Sequence, residues 1–280
     1  MDMGSGKQLV LVPAHRQSEG LPCQRILPGY LRLLLILILV LPLGLLGQGI
    51  HLALAAAGDL DPSFDGDGIV VTNAVDPFPT TLAREVMAVQ ADGKIVLGGA
   101  PPGQDPLTGF QVARFLSDGH LDPSFGTGGT VRTQVGGSGG YTSALLIQPD
   151  GKIVVGGKAT TLTSPTQIAQ GLALVRYSTD GNLDTTFGNG GVVLTLTTLP
   201  FNGIANNTVL ALALQPDGKI VAAGGPLGGG VGELVRYNPD GSLDTSFGSG
   251  GRARAQAFPQ SPFSPPTPFI VHMVLQANGK

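Results

Sequence analysis

The chain is poor in the side chains that most often carry chemistry. Among 280 residues it has one cysteine, no tryptophan and four histidines, and only 12% of its residues are charged. Cys23 lies ahead of an apolar run rather than after it, so lipid attachment is unsupported; no other thiol is present for a disulfide or a nucleophile. His15 and His51 fall in segment 1–57, which leaves His120 and His272. No histidine pair has metal-ligand spacing, and no Ser-His-Asp grouping can be argued. Gly4-Ser5-Gly6-Lys7 lacks the full spacing of a phosphate loop. A net charge of −3 gives neither a basic nucleic-acid footprint nor a strong steering field, which argues against a nucleic-acid partner. The sequence names no catalytic residue, no metal ligand and no cofactor, and it points away from an enzyme.

What the chain does have is repetition. Asp118-Gly119-His120-Leu121-Asp122-Pro123-Ser124-Phe125-Gly126 returns as Asp180-Gly181-Asn182-Leu183-Asp184-Thr185-Thr186-Phe187-Gly188 and as Asp240-Gly241-Ser242-Leu243-Asp244-Thr245-Ser246-Phe247-Gly248. A partial first copy, Gly58-Asp59-Leu60-Asp61-Pro62-Ser63-Phe64, extends the series, so that Phe64, Phe125, Phe187 and Phe247 fall at nearly even steps. A second block keeps the same beat, as Gln90-Ala91-Asp92-Gly93-Lys94-Ile95-Val96, Gln148-Pro149-Asp150-Gly151-Lys152-Ile153-Val154 and Gln215-Pro216-Asp217-Gly218-Lys219-Ile220-Val221. A third is an apolar run ending in arginine and an aromatic, at Arg114-Phe115, Arg176-Tyr177 and Arg236-Tyr237.

These blocks translate into β-structure. An Asp-Gly pair between apolar runs is a hairpin signal, since a type I′ turn needs φ > 0 at both central residues. Residues 69–72, 86–89, 95–97 and 112–116 read as four short strands of one unit. In Leu172-Ala173-Leu174-Val175-Arg176-Tyr177 both alternating sets are largely apolar, as expected of a sheet covered on both faces. Four-stranded sheets packed radially describe an all-β chain, a β-propeller with units at about 58–117, 118–179, 180–239 and 240–280. Glycine (44) and proline (22) then serve as turn residues at fixed places in the repeat.

The combination of Pro-Asp-Gly-Lys-Ile-Val, Val-Arg-Tyr and Asp-Gly-x-Leu-Asp-x-x-Phe-Gly resembles the delta-60 repeat, a bacterial module, over about residues 58 to 280. That resemblance implies an exported multi-blade β-propeller with no assigned activity, and it brings no catalytic residues with it. The last residues, Gln276-Ala277-Asn278-Gly279-Lys280, repeat the start of the hairpin block and stop where its second strand would begin. The sequence thus reads as about three and a half blades, a truncated fragment of a longer set.

Segment 1–57 has a different pattern. Arg25 and Arg32 precede an apolar run at 33–46, and Leu52-Ala53-Leu54-Ala55-Ala56-Ala57 ends in small residues, the grammar of a secretory signal cleaved after Ala57. The basic region is long for such a signal, and a start assigned too far upstream accounts for it. A retained anchor is the alternative reading, although the run is short of a full span. Either way the repeats are placed outside the cell, secreted or at the surface, with no membrane insertion of the mature domain.

Repetition also sorts the candidate residues, because a catalytic group is needed once whereas a residue present in every unit belongs to the frame. Arg114, Arg176 and Arg236 are expected to pair with Asp122, Asp184 and Asp244, since a covered arginine needs a partner. Phe64, Phe125, Phe187 and Phe247 are expected to wedge the blade periphery. Asp59, Asp61, Asp65 and Asp67 invite calcium, but the closing glutamate of an EF-hand loop is missing and later copies replace the acids, so turn residues are preferred there. The segments that do not repeat are 101–109, 158–171 and 226–232 between third and fourth strands, and 199–208 between first and second. Function usually sits on such loops. The expectation is a non-enzymatic extracellular or cell-surface scaffold whose partner is a protein or a glycan; a propeller enzyme, a lyase or hydrolase with a site at the central channel, is the alternative.

Overall fold

The computed structural model describes residues 9–11, 58–75, 86–99, 109–137, 140–164, 167–196, 207–226, 232–255 and 273–276. The apolar run at 33–46 lies outside the described residues, and among the described residues no helix is long and apolar enough to cross a membrane. The described elements are strands. Leu9–Leu11 (β1) lies antiparallel to Val70–Thr72 (β2). Because β1 falls in the stretch read as a leader, cleavage after Ala57 would leave that edge of β2 open.

Beyond β2 come three four-stranded antiparallel sheets, each a simple meander. The first holds β3 (Val86–Val89), β4 (Ile95–Gly99), β5 (Phe110–Phe115) and β6 (Thr130–Thr133). The second holds β7 (Gly140–Ile147), β8 (Ile153–Ser164), β9 (Gln167–Tyr177) and β10 (Val192–Leu196). The third holds β11 (Asn207–Leu214), β12 (Ile220–Pro226), β13 (Gly232–Tyr237) and β14 (Arg252–Ala255). These are the blades of a β-propeller. Their first strands β3, β7 and β11 lie against one another, so they form the inner side of the array.

Blade and sequence unit share a period but not a phase. Each blade takes its fourth strand from beyond the Asp-Gly pair at 118, 180 or 240, that is, from the next sequence unit. The variable segments 101–109, 158–171 and 226–232 therefore join second to third strands, and 199–208 joins one blade to the next. β2 occupies the position of a fourth strand, since Phe64 precedes it as Phe125 precedes β6.

Packing explains why the third strand is apolar on both faces. In β9, Ala173, Val175 and Tyr177 join the cluster shared with the first blade, including Val96, Phe110 and Phe125. Leu172 and Leu174 join the cluster shared with the third blade, including Val209, Ala222 and Val235. Successive side chains of a strand point to opposite faces, so every second residue serves a different neighbour. Segment 58–75 covers the outer side of the first blade in the same manner, with Phe64, Val70, Ala74 and Val75 packed on Ile95, Leu97, Ala113 and Phe115. Close approach between blades needs glycine: a Cβ at Gly98 would lie 2.8 Å from Thr142 Cγ2, and one at Gly156 2.8 Å from Val209 Cγ1.

The Asp-Gly turns differ from the expected type I′. Only the glycine has positive φ, 84° at Gly93, 81° at Gly151 and 82° at Gly218, while the aspartates stay on the ordinary side. Gly93 N–H donates to Gln90 O (3.0 Å) and Gln90 N–H to Lys94 O (2.8 Å), which is a three-residue loop with a bulge at the glycine. The aspartate is there for its side chain: Asp92 Oδ1 accepts the N–H of Lys94, and Asp150 and Asp217 repeat this. The turns at 118, 180 and 240 are built alike, with Asp118 Oδ1 accepting His120 N–H.

Candidate functional site

In each blade the two Asp-Gly turns fall at one end and the variable connections at the other, because the meander alternates strand direction. The turn end carries a network that recurs in all three blades. Arg114, on β5, donates from Nε to Asp122 Oδ2 at 2.8 Å, and Lys94 Nζ reaches the same oxygen at 3.1 Å. Asp122 Oδ1 accepts from both the N–H (3.0 Å) and the hydroxyl (2.6 Å) of Ser124. The Arg114 guanidinium lies over the Phe125 ring at 4.6 Å from its centroid. The second blade repeats this with Arg176, Lys152, Asp184, Thr186 and Phe187, the third with Arg236, Lys219, Asp244, Ser246 and Phe247.

The pairing expected from the sequence is therefore present, and every member of it is engaged with another. Burial raises the carboxyl of Asp122, but the two bonds from Ser124, the bond from Lys94 and the charge of Arg114 outweigh it and hold the group well below the usual carboxylate range. The same balance lowers Asp184. Asp244 is lowered by the Ser246 hydroxyl and Lys219 first, with Arg236 adding. The lysine was not assigned from the sequence, although Lys94, Lys152 and Lys219 keep the period and could have been.

The network also joins blades. Arg114 Nη1 donates to the carbonyl of Thr179, and Arg176 Nη1 to that of Pro239 at 2.5 Å, both on the next Asp-Gly turn. Backbone bonds run beside them, from Gly126 N–H to Asp180 O (2.8 Å) and from Gly188 N–H to Asp240 O (2.7 Å). Asp65 N–H makes the matching bond to Asp118 O at 2.7 Å, which ties segment 58–75 to the first blade. Tyrosines latch in the opposite sense: Tyr177 donates to Thr133 at 2.7 Å, and the Tyr237 and Thr195 hydroxyls lie 2.8 Å apart.

Of the other sequence candidates, Phe64, Phe125 and Phe187 are buried, while Phe247 is half-buried. Asp61 accepts from the N–H and hydroxyl of Ser63, as Asp122 does from Ser124, and Asp67 accepts from Ile69 N–H, so these carboxylates serve turns. Among the described residues no three His, Cys, Asp or Glu side chains are grouped to hold a metal. His120 Nδ1 lies 3.3 Å from Asp118 Oδ1, and His272 lies outside the described residues. Segments 101–108, 199–206 and 227–231 also lie outside them. Segment 158–171 is described except at 165–166: β8 and β9 run on past Ala159 and Gly171 as a two-stranded ribbon with Thr160 opposite Gln170 and Leu162 opposite Ile168.

Between the first two blades, at the turn end, the surface opens into a groove of about 620 Å³. Gln90 and Gln148, the residues that close β3 and β7, both line it, and the side-chain oxygen of each is buried without a protein donor.

No curated protein matches the chain. A crystal structure of a protein of unknown function from Dyadobacter fermentans DSM 18053 is similar over 60% of this chain at 13% identity, with a TM-score of 0.34; the chain spans about half (51%) of that protein. Residues 90–125, 148–187 and 215–247 match the family model described as a domain of unknown function (DUF5122) beta-propeller. Each matched segment starts at the glutamine that closes an inner strand and ends at the phenylalanine under the arginine, so these three segments are similar to the repeats of that β-propeller family.

Proposed function

We propose that this chain is a non-enzymatic, exported β-propeller of the delta-60 type that acts as an extracellular or cell-surface binding scaffold. The observation that carries this reading is the threefold closure of the Arg-Asp-Lys-Phe network. Titratable groups with strongly shifted pKa values are functional-site candidates by default. Here the three lowered aspartates are the same residue of three successive blades, each saturated by its own arginine, lysine and hydroxyl. A carboxylate held in this way fixes the turn of its own blade and has no free valence for a substrate. Export is supported by the signal grammar of segment 1–57, with Arg25 and Arg32 ahead of the apolar run and small residues up to Ala57. The variable end supplies one surface for a partner, the ribbon beyond Ala159 and Gly171, whose flanking stretch carries no charge between Lys158 and Arg176.

Two measurements test the proposal. Expression in a bacterial host with sequencing of the mature N-terminus is expected to find Gly58 first; a chain that keeps segment 1–57 argues for the anchored alternative. Screening the purified protein against glycans, cell-surface polymers and extracellular proteins is expected to find binding without turnover. Turnover lost on substitution of one or two residues would replace the scaffold by an enzyme.

A further inference from the structure

We propose that segment 58–75 and the adjoining face of the first blade form a docking site for a further repeat unit of this chain's own type, one that brings three strands, a lysine and an Arg-aromatic strand. Segment 58–75 repeats the local geometry that leads into a fourth strand. Asp61 accepts from the N–H (2.9 Å) and hydroxyl (2.7 Å) of Ser63 as Asp122 does from Ser124, and Gly68 N–H bonds Phe64 O as Gly129 N–H bonds Phe125 O. Yet this unit has no arginine of its own. Arg114, Arg176 and Arg236 each stand eight residues before the aspartate they hold, and the residue eight before Asp61 is Ala53.

Two places on this face differ from their counterparts. In the complete blades Oδ2 of the frame aspartate takes the arginine Nε at 2.7–2.8 Å and the lysine Nζ at 3.1 Å, and the aspartate is buried. Asp61 is exposed, and among the described residues Ser63 alone lowers its carboxyl, with no arginine or lysine beside it. On β3, Met87 and Val89 are 48% and 55% exposed. Their counterparts by register, Leu145 and Ile147 on β7 and Leu212 and Leu214 on β11, pack into the clusters shared with the preceding blade. Met87 and Val89 stand opposite Leu97 and Ile95, and directly opposed residues share a face of the sheet. That face is the one segment 58–75 covers farther out, through Phe64 and Val70.

The occupant follows from the blade contacts the chain already makes. A third strand paired with β2 would bring an arginine Nε to Asp61 Oδ2 and its Nη1 to the carbonyl of Ser117, the residue equivalent to Thr179 and Pro239. The lysine of its first turn would reach the same carboxylate, and its sheet would cover Met87 and Val89. β1 meets only part of this. Leu9–Leu11 pair with β2 in the register in which Phe110–Val112 pair with β6, but the residue two after Leu11 is Pro13, where the residue two after Val112 is Arg114. A carboxylate that becomes covered needs a cation, so Asp61 selects a strand that carries arginine over one that does not.

The test is a titration of the full chain, read by fluorescence anisotropy, with a labelled peptide of residues 207–239, which carries β11 to β13 with Lys219 and Arg236 but no fourth strand. The peptide is expected to bind, and to bind more tightly to Val10→Pro, in which β1 loses its pairing. Arg236→Ala in the peptide and Asp61→Asn in the chain should each weaken binding about tenfold, and the two together no further than either alone. Asn keeps the acceptor for Ser63, so Tm should hold in Asp61→Asn. Met87→Ser should also weaken binding, through lost apolar contact. Asp67→Asn removes a charge from the same segment, but from a carboxylate committed to Ile69 N–H, and should leave binding unchanged. Absence of binding to both the full chain and Val10→Pro, additive losses from Arg236→Ala and Asp61→Asn, or an equal loss in Asp67→Asn each overturns the site. A dimer of the full chain that excludes the peptide and survives Asp61→Asn would give this face to a second copy through other contacts, and would overturn it too.

Discussion

The second and third blades carry the same residues at equivalent positions, yet the network is not equally tight in both. Arg176 is 6% exposed and Arg236 19%; Phe187 is fully buried and Phe247 is not. The difference lies on the forward side of each blade. Arg176 reaches forward to Pro239 of the next Asp-Gly turn, and Gly188 N–H bonds Asp240 beside it. Arg236 turns back onto its own Gln215. The network therefore has two jobs, closing the turn of its own blade and gripping the next one, and only the second depends on a neighbour.

Substituting the arginines separates those jobs and should give the largest effect. Arg176→Ala leaves the buried Asp184 without its guanidinium and removes the forward grip, and is expected to cost about 3–5 kcal/mol. Among the described residues Arg236 has only local partners, Asp244, Gln215 and Phe247, so Arg236→Ala should cost markedly less. Urea midpoints of the two variants measure this; equal losses would mean that gripping the next blade contributes nothing.

Acid should act next, and on both blades. The carboxyls of Asp122, Asp184 and Asp244 sit below their ordinary value in the folded chain. A depressed folded pKa gives stability that is complete above the unfolded value and lost as pH falls beneath it. Unfolding free energy is thus expected to be level above roughly pH 4–5 and to drop below about pH 4. Asp184→Asn should lower stability at neutral pH and flatten the acid slope. A slope unchanged in that variant would assign the acid loss to other carboxyls.

Much of this was legible in the sequence, for a physical reason. A frame residue must appear in every copy, so Arg114, Asp122 and Phe125 announced themselves by period, and their pairing followed from the cost of an unpaired buried arginine. The phase of the blades was not legible, since a repeat can be cut anywhere and nothing local says that β6 belongs with β5 across the Asp-Gly turn. The turn type was missed because both hairpin families place glycine last, and only φ at Asp92 distinguishes them. The grip on Thr179 and Pro239 left no trace, because a backbone carbonyl accepts whatever its side chain is. The free oxygens of Gln90 and Gln148 were hidden for the same reason.

The smallest effect expected is also the one that should not distinguish the blades. Tyr177 and Tyr237 reach backward, to Thr133 and Thr195 of the preceding blade, so both have their partner. Tyr177→Phe and Tyr237→Phe should each cost about 1 kcal/mol, Tyr177 slightly more because Thr133 is buried and cannot turn to water as the half-buried Thr195 can. Burial also pushes the Tyr237 hydroxyl up to about 12, against the hydrogen bond from Thr195, and pushes Tyr177 up likewise. A raised folded pKa gives stability that is complete below the unfolded value, about 10, and lost as pH rises through the folded one. Wild-type Tm should fall between about pH 10 and 12, and the double phenylalanine variant should lose part of that fall. If Tyr237→Phe cost nothing while Tyr177→Phe cost the expected amount, the third blade would be loosely docked on its backward face as well, and the contrast between the blades would extend beyond the forward grip.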